Sequence, residues 1–431
     1  MSYTDFFNFS YDRIYFFVII SIVLFALLYT CTKKFTNGLI YDPFHLVYTF
    51  TYSTSYSVVI MLYSYGYISI YHFVIVVLYG GVFLSCIYFF ERLKINLGHG
   101  YIFRILYVRE SGWLYYIVFT IYLSLAFLIF TQKELSIFTD SNRFEDNRGL
   151  GPLIKFWTLT VYFLVAWFSI LIYKKRGVKR YVCLLFLLVF CLFNSLMEGS
   201  KSAVIFYVMI GGLAVYAYTG YYRINVKYLT VGFCFSLASL FLVLYFNFKS
   251  TFSDEQDFIF IFESLFKRFV DRVLSNGDCY YMGLPYDVIE NVQVNNVFIT
   301  FFSPVISNSV TNKLAGYDVG MYDLGKQFIT QLYPHMTIAG GPTDHFDLFA
   351  YKYFGVLGGF LFLVFLCGYL YVIRKIVTLS QGSLYMSCLS VVFWFISLKV
   401  ILKPGLLLGE FVTFMIFFLT IKILLLSIRK S

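Results

Sequence analysis

The chain is 431 residues long, 60% hydrophobic and 13% charged, against roughly 45–50% apolar and about 25% charged in soluble globular domains. So large an apolar surplus cannot be buried in one soluble core, which excludes both a soluble globular chain and a disordered one. The formal charge of +10 would suit nucleic acid, but it sits in clusters between long apolar runs, where it orients a membrane protein instead.

Unbroken apolar runs point to an all-α polytopic membrane protein, since only helices or closed barrels satisfy their backbone in hydrocarbon and a barrel needs short alternating strands. At about 20 residues per crossing, about eleven transmembrane helices are predicted, near 14–30, 44–63, 67–90, 113–131, 153–173, 181–197, 203–222, 228–247, 349–373, 384–402 and 405–428. Lys33–Lys34 follow the first. Arg92, Lys94, Arg104 and Arg109 follow the third, and Lys174, Lys175, Arg176, Lys179 and Arg180 the fifth. Arg223 and Lys227 follow the seventh, Arg374 and Lys375 the ninth, and Arg429–Lys430 end the chain. These clusters fall on alternate connections, which places them in the cytoplasm and the amino terminus outside. The first run is too long for a cleavable signal and reads as an anchor. The eight cysteines form no C-x-x-C and no paired framework, so neither a disulfide scaffold nor a zinc site is indicated.

Residues 1–247 thus carry eight spans with a short outer loop near 132–152, residues 248–348 form one large outer loop, and residues 349–431 carry the last three spans. A long polar loop in such a chain is a place for function. Within it, Phe258, Phe262, Leu265, Phe269 and Val273 recur at helical spacing, with Lys267, Arg268, Asp271 and Arg272 mostly off that stripe, which predicts an amphipathic helix over 257–274. Such a helix lies in the membrane interface, or packs with a solvated charged face. The remainder is rich in Tyr, Asp, Gly and Asn, with Asp318, Tyr322 and Asp323 among them. Phe298–Ile306 is apolar enough to dip toward the bilayer. The loop returns through Asp344, His345, Asp347 and Lys352, with Gly355, Gly358 and Gly359 spaced for close helix packing. Between spans six and seven there is only Glu198-Gly199-Ser200-Lys201-Ser202.

The outer face therefore collects Arg143, Arg148, Lys201, Arg268, Arg272 and Lys352 as candidate pyrophosphate-binding cations, and Glu198, Asp344 and His345 as candidate catalytic groups. Cations at the lipid boundary suit a lipid-linked pyrophosphate donor, because they stabilise the departing charge and arginine grips phosphate oxygens in pairs. A carboxylate or histidine would take the proton of an attacking hydroxyl. No Walker motif, G-x-S-x-G or H-E-x-x-H is present, and no aspartate-rich metal motif. No metal or cofactor is expected. A transporter should carry charge along a path within its spans, where Lys399, Lys403 and Glu410 are the late candidates, near one outer turn.

In organisation and in short stretches the chain resembles the Wzy-type oligosaccharide repeat-unit polymerases of O-antigen and capsule synthesis. Glu198-Gly-Ser-Lys-Ser202 is similar to their G-S-R-[ST/G] turn, with Lys201 in place of Arg. Asp344–His345 followed by Phe354-Gly355-Val-Leu-Gly358 is similar to the acid or His and F-G-x-x-G that open the helix after their large loop. Asp344 stands eleven residues before Gly355 and His345 ten, the former matching the spacing of the histidine in related O-antigen ligases. Arg143 and Arg148 look like the family's loop arginines, and an R-x10-G runs from Arg272 to Gly283. The resemblance implies a GT-C-like fold in the bacterial inner membrane and a metal-independent glycosyltransferase site on the periplasmic side. It also implies transfer of the growing glycan from undecaprenyl pyrophosphate to the next undecaprenyl-linked repeat unit. Lys201, Arg143, Arg148 and Arg272 would hold the pyrophosphate, and Asp344 or His345 would orient or deprotonate the acceptor. The implied partners are the undecaprenyl-pyrophosphate-linked oligosaccharide, membrane lipid and a chain-length regulator protein, with no nucleic acid. An O-antigen ligase and a non-enzymatic flippase of lipid-linked glycan are the alternatives.

Overall fold

A computed structural model describes residues 1–93, 112–132, 150–198, 203–221, five isolated positions between 230 and 241, 258–335 and 341–430. Among these residues every regular element is helical. Eight helices are long and apolar enough to cross a membrane, as expected of a polytopic membrane protein. They include α2 (Ile14–Thr32), α4 (Ile70–Leu93), α5 (Trp113–Gln132), α6 (Gly151–Lys174) and α7 (Val178–Glu198). The others are α15 (Phe346–Leu379), α16 (Leu384–Leu402) and α17 (Leu407–Lys430), the last entered through a 3-10 turn at Pro404–Leu406. Of the three remaining expected spans, 44–63 folds as a π-helical turn, His45–Phe50, running into α3 (Thr51–Ser64). Residues 203–222 give α8 (Ala203–Thr219), 17 residues long. The segment 228–247 lies outside the described residues apart from isolated positions.

α16 has almost no exposed surface and is apolar on all sides, the pattern of a helix at the centre of a bundle. It packs on α6, α8 and α15, while α4 lies along α15. Where α16 meets the segment before α3, Asp42 pairs with Arg374 (2.9 Å) and accepts from the Trp394 indole N–H (2.9 Å), all three being buried.

The large loop folds as a layer of short helices over one end of this bundle. It contains α9 (Phe258–Leu274), α10 (Asp278–Gly283), α11 (Val288–Asn291), α12 (Val297–Ile306), α13 (Asn308–Ala315) and α14 (Leu324–Leu332). The expected amphipathic helix is α9. Its stripe is only partly covered, with Leu265 buried and Phe262 and Phe269 exposed. The apolar segment 298–306 is α12, which packs along α17. The amino terminus joins this layer as α1 (Tyr3–Tyr11). Phe6 stacks on Tyr281 at 3.9 Å, Tyr11 donates to Asp271 at 2.6 Å, and the Tyr3 N–H donates to the Tyr333 hydroxyl at 2.9 Å. Amino terminus and large loop therefore lie together.

The return helix α15 is 34 residues long, about 51 Å at 1.5 Å per residue, more than one crossing needs. It is broken at Gly355, whose φ of 66° and ψ of −176° are accessible only to glycine. The Tyr79 hydroxyl donates to the carbonyls of Gly355 and Val356, both at 3.1 Å, and covers backbone oxygens freed at the break. Gly355 is thus a hinge in the helix rather than a packing contact: no atom lies within 4 Å of the place a Cβ would occupy. The nine residues before it, Phe346–Phe354, form a separate entry piece whose first five are buried, and Asp344 and His345 stand at its head.

Candidate functional site

At the foot of the loop layer is a cavity of about 550 Å³. Its walls come from the start of α6 (Gly151, Lys155, Phe156), from α12 and the turn after it (Thr300–Asn308) and from the 3-10 turn Val319–Tyr322. The Lys403–Leu406 turn and one side of α17 (Val412, Thr413, Ile416) complete them. The lining mixes apolar side chains with four charged ones, Lys155, Asp323, Asp344 and Lys403.

Four elements place those charges. Asp323 precedes α14, Asp344 ends the loop, Lys403 fills the turn between α16 and α17, and Lys155 lies in the first turns of α6. Asp344 is 3% exposed, and its Oδ1 accepts the Gly325 N–H at 3.1 Å. That contact requires Gly325: a Cβ there would meet the Pro342 carbonyl oxygen at 2.0 Å. Lys403 Nζ donates to Asp323 Oδ2, and Asp323 is within hydrogen-bond reach of Asp344. Burial, and next the Asp323 charge, push the Asp344 carboxyl well above the carboxylate range, with Lys403 opposing. Burial also works against the ionised form of Asp323, but Lys403, Asp344 and the Gly325 backbone together outweigh it and hold Asp323 low. Burial pulls Lys403 down, and the charges of Asp344 and Asp323 more than restore it. The group is thus an Asp323–Lys403 ion pair beside an Asp344 whose protonated form its surroundings favour.

His345 turns away from this cavity. It has φ of 49°, unusual for a non-glycine residue, and its N–H donates to the Leu402 carbonyl at 2.9 Å. The ring is wholly buried between Tyr52 and Tyr280, with centroids at 4.9 and 5.0 Å in edge geometry. The Tyr280 hydroxyl donates to Asp347 Oδ2 at 2.6 Å and meets His345 Nδ1 at a longer 3.4 Å. Burial pushes the imidazole down to about 3, so it is neutral at pH 7. Of the paired alternatives Asp344 and His345, the aspartate lines the cavity.

The remaining sequence candidates do not gather there. Arg143, Arg148 and Lys201 lie outside the described residues. Glu198 ends α7, with its side chain outside those described. Arg268 and Arg272 are exposed on α9. Arg272 opposes the rise that burial imposes on Asp278, whose carboxyl stands at about 7. Lys352 donates to the Glu290 carbonyl at 3.2 Å. The Glu290 carboxylate accepts from Tyr351 at 2.6 Å and contacts His72 Nε2 at 3.0 Å. Burial works against its charge, but those partners outweigh it and hold Glu290 low. The two cations on the cavity wall, Lys155 and Lys403, were not in the predicted binding set. Lys403 was visible as a charge at an outer turn and Asp323 within the Tyr- and Asn-rich stretch, but nothing in the sequence joins them. Among the described residues no three His, Cys, Asp or Glu side chains are placed to hold a metal.

No family model matches this chain, and neither a curated protein nor a solved structure does.

Proposed function

We propose that the chain is a polymerase of lipid-linked oligosaccharide repeat units. On this reading it transfers the growing glycan from undecaprenyl pyrophosphate to the next undecaprenyl-linked unit, in O-antigen or capsule synthesis. The observation that carries it is the cavity itself, whose lining combines apolar side chains of α6, α12 and α17 with four charged ones, Lys155, Lys403, Asp323 and Asp344. A lipid pyrophosphate combines the same two characters, an apolar tail and a phosphate head. Lys155 and Lys403 take the pyrophosphate, with Arg143, Arg148 and Lys201 expected to add to them, and so stabilise the leaving charge. The carboxylates of the lining receive the acceptor's proton. Asn308, Tyr322 and Tyr353 on the wall offer hydrogen bonds and ring faces to sugars. The reading takes the chain to cross the bacterial inner membrane about eleven times, in a GT-C-like arrangement with the cavity at the periplasmic side. The continuous helical path through His45–Phe50 and α3 supports one of the additional crossings.

The test is a gel of surface polysaccharide from a deletion strain and its complemented parent, with lipid-linked glycan extracted in parallel. A ladder that collapses to core plus one repeat unit is expected. Unmodified core with long glycan left on its carrier would make the chain a ligase. Single units stranded on the cytoplasmic leaflet would make it a flippase.

A further inference from the structure

Two carboxyl groups and one ammonium lie together on the cavity wall. Asp323 Oδ2 is held by Lys403. Asp323 Oδ1 is buried and receives no donor, and the Asp344 carboxyl also interacts with Asp323. Two facing carboxylates repel unless a proton lies between them. With that proton on Asp344, the orphaned oxygen is satisfied and the three groups sum to zero charge. Lys403 is the most exposed of the three. Its side chain is 36% exposed at the wall of a cavity whose other cation, Lys155, belongs to a different helix. Among the described residues, the other ionisable groups facing the pair are the Cys279 thiol of α10, which burial and then the acids around it push upward, and the Tyr353 phenol of α15. Tyr322 also lines the cavity.

We infer that Lys403 is a lock on the catalytic base: it holds Asp323 until a pyrophosphate draws the ammonium away, and Asp323 then accepts the proton of the attacking hydroxyl while Asp344 keeps its own. The inference rests on the glycosyl-transfer reading and deepens it. In the step, the acceptor oxygen bonds to the anomeric carbon of the donor. The bond from that carbon to the pyrophosphate oxygen breaks, with its electron pair leaving on the lipid pyrophosphate. The hydroxyl proton passes to Asp323. No further reactant is needed. Losing its cation makes Asp323 the stronger base, so the base is armed only when a donor is bound, and a lone acceptor or water is not activated.

The experiment is infrared difference spectroscopy on the full chain in detergent, with inorganic pyrophosphate as the probe. The wild type should show a protonated-carboxyl carbonyl stretch that Asp344→Asn removes. Added pyrophosphate should shift a carboxylate band that Asp323→Asn removes. Lys403→Met should lose the shift, and Lys403→Arg should keep it, which separates the lock from a folding defect. If pyrophosphate leaves the Asp323 band unmoved in a protein that still extends chains in the cell, the lock is overturned and the polymerase reading survives. If the full response occurs in a protein whose deletion leaves the polysaccharide ladder unchanged, the exchange stands as an anion response and the polymerase reading falls.

Discussion

Asp344 and His345 are neighbours in the chain and face opposite environments. Asp344 Oδ1 takes the Gly325 N–H at 3.1 Å on the cavity wall, while the His345 ring lies wholly buried between Tyr52 and Tyr280. Their variants should therefore fail in different ways. Asp344→Leu removes the donor beside Asp323 and should abolish chain extension with normal protein in the membrane, whereas Asp344→Asn, a neutral amide of the same shape, should keep much of it. His345→Ala empties an aromatic box and should cost about 2–5 kcal/mol, as large-to-small core changes do. A polysaccharide gel read beside a melting curve in detergent separates them. Normal ladders in Asp344→Leu would remove it from the chemistry.

Gly325→Ala tests the cradle of Asp344 without touching a charge. Its Cβ would meet the Pro342 carbonyl oxygen at 2.0 Å, so the backbone that delivers the N–H to Asp344 has to move. Chain extension should fall by at least tenfold, the equivalent of about 1.4 kcal/mol, with the protein still inserted. Unchanged activity would mean that the cradle is not needed.

The buried imidazole gives stability a pH slope of known sign. In the unfolded chain His345 takes up a proton below about 6.5, whereas in the fold it stays neutral down to about 3. The unfolded state thus binds more protons across that window, and acid lowers stability, by up to ~1.4 kcal/mol per pH unit from this one group. His345→Asn has nothing to titrate and should flatten this part of the fall in melting temperature between pH 6 and 4. An identical slope in wild type and variant would refute the assignment.

Asp42 and Arg374 form a buried pair with side chains 0% and 3% exposed. Arg374 also donates to the Thr36 carbonyl at 3.1 Å. Removing one partner strands the other charge and should cost about 3–5 kcal/mol. Arg374→Met alone should therefore melt far below wild type, and adding Asp42→Leu should recover much of the loss. No recovery in the double variant would show that the backbone bonds of Arg374 matter more than its charge partner.

Composition and apolar run length determined the class. Eight of the expected crossings are long apolar helices, and the amphipathic spacing from Phe258 to Val273 located α9, because both signals are local and repeat along the chain. Asp344 was legible for a similar reason, being a charge at the mouth of an apolar run. The cavity's other members were not. Asp323 and Lys403 are 80 residues apart, and Lys155 lies on α6, so only the packing of distant elements brings them around one cavity. The direction of His345 was also undecided, since a φ of 49° and the Leu402 carbonyl turn its ring inward while Asp344 looks out. Gly355 stood in the sequence as a packing residue and is a helix break, because backbone dihedrals follow from where the entry piece Phe346–Phe354 must dock. Periodicity and hydropathy record which face of a helix leaves water. Which charges then meet depends on contacts between elements distant in sequence, and those are set only when the bundle closes.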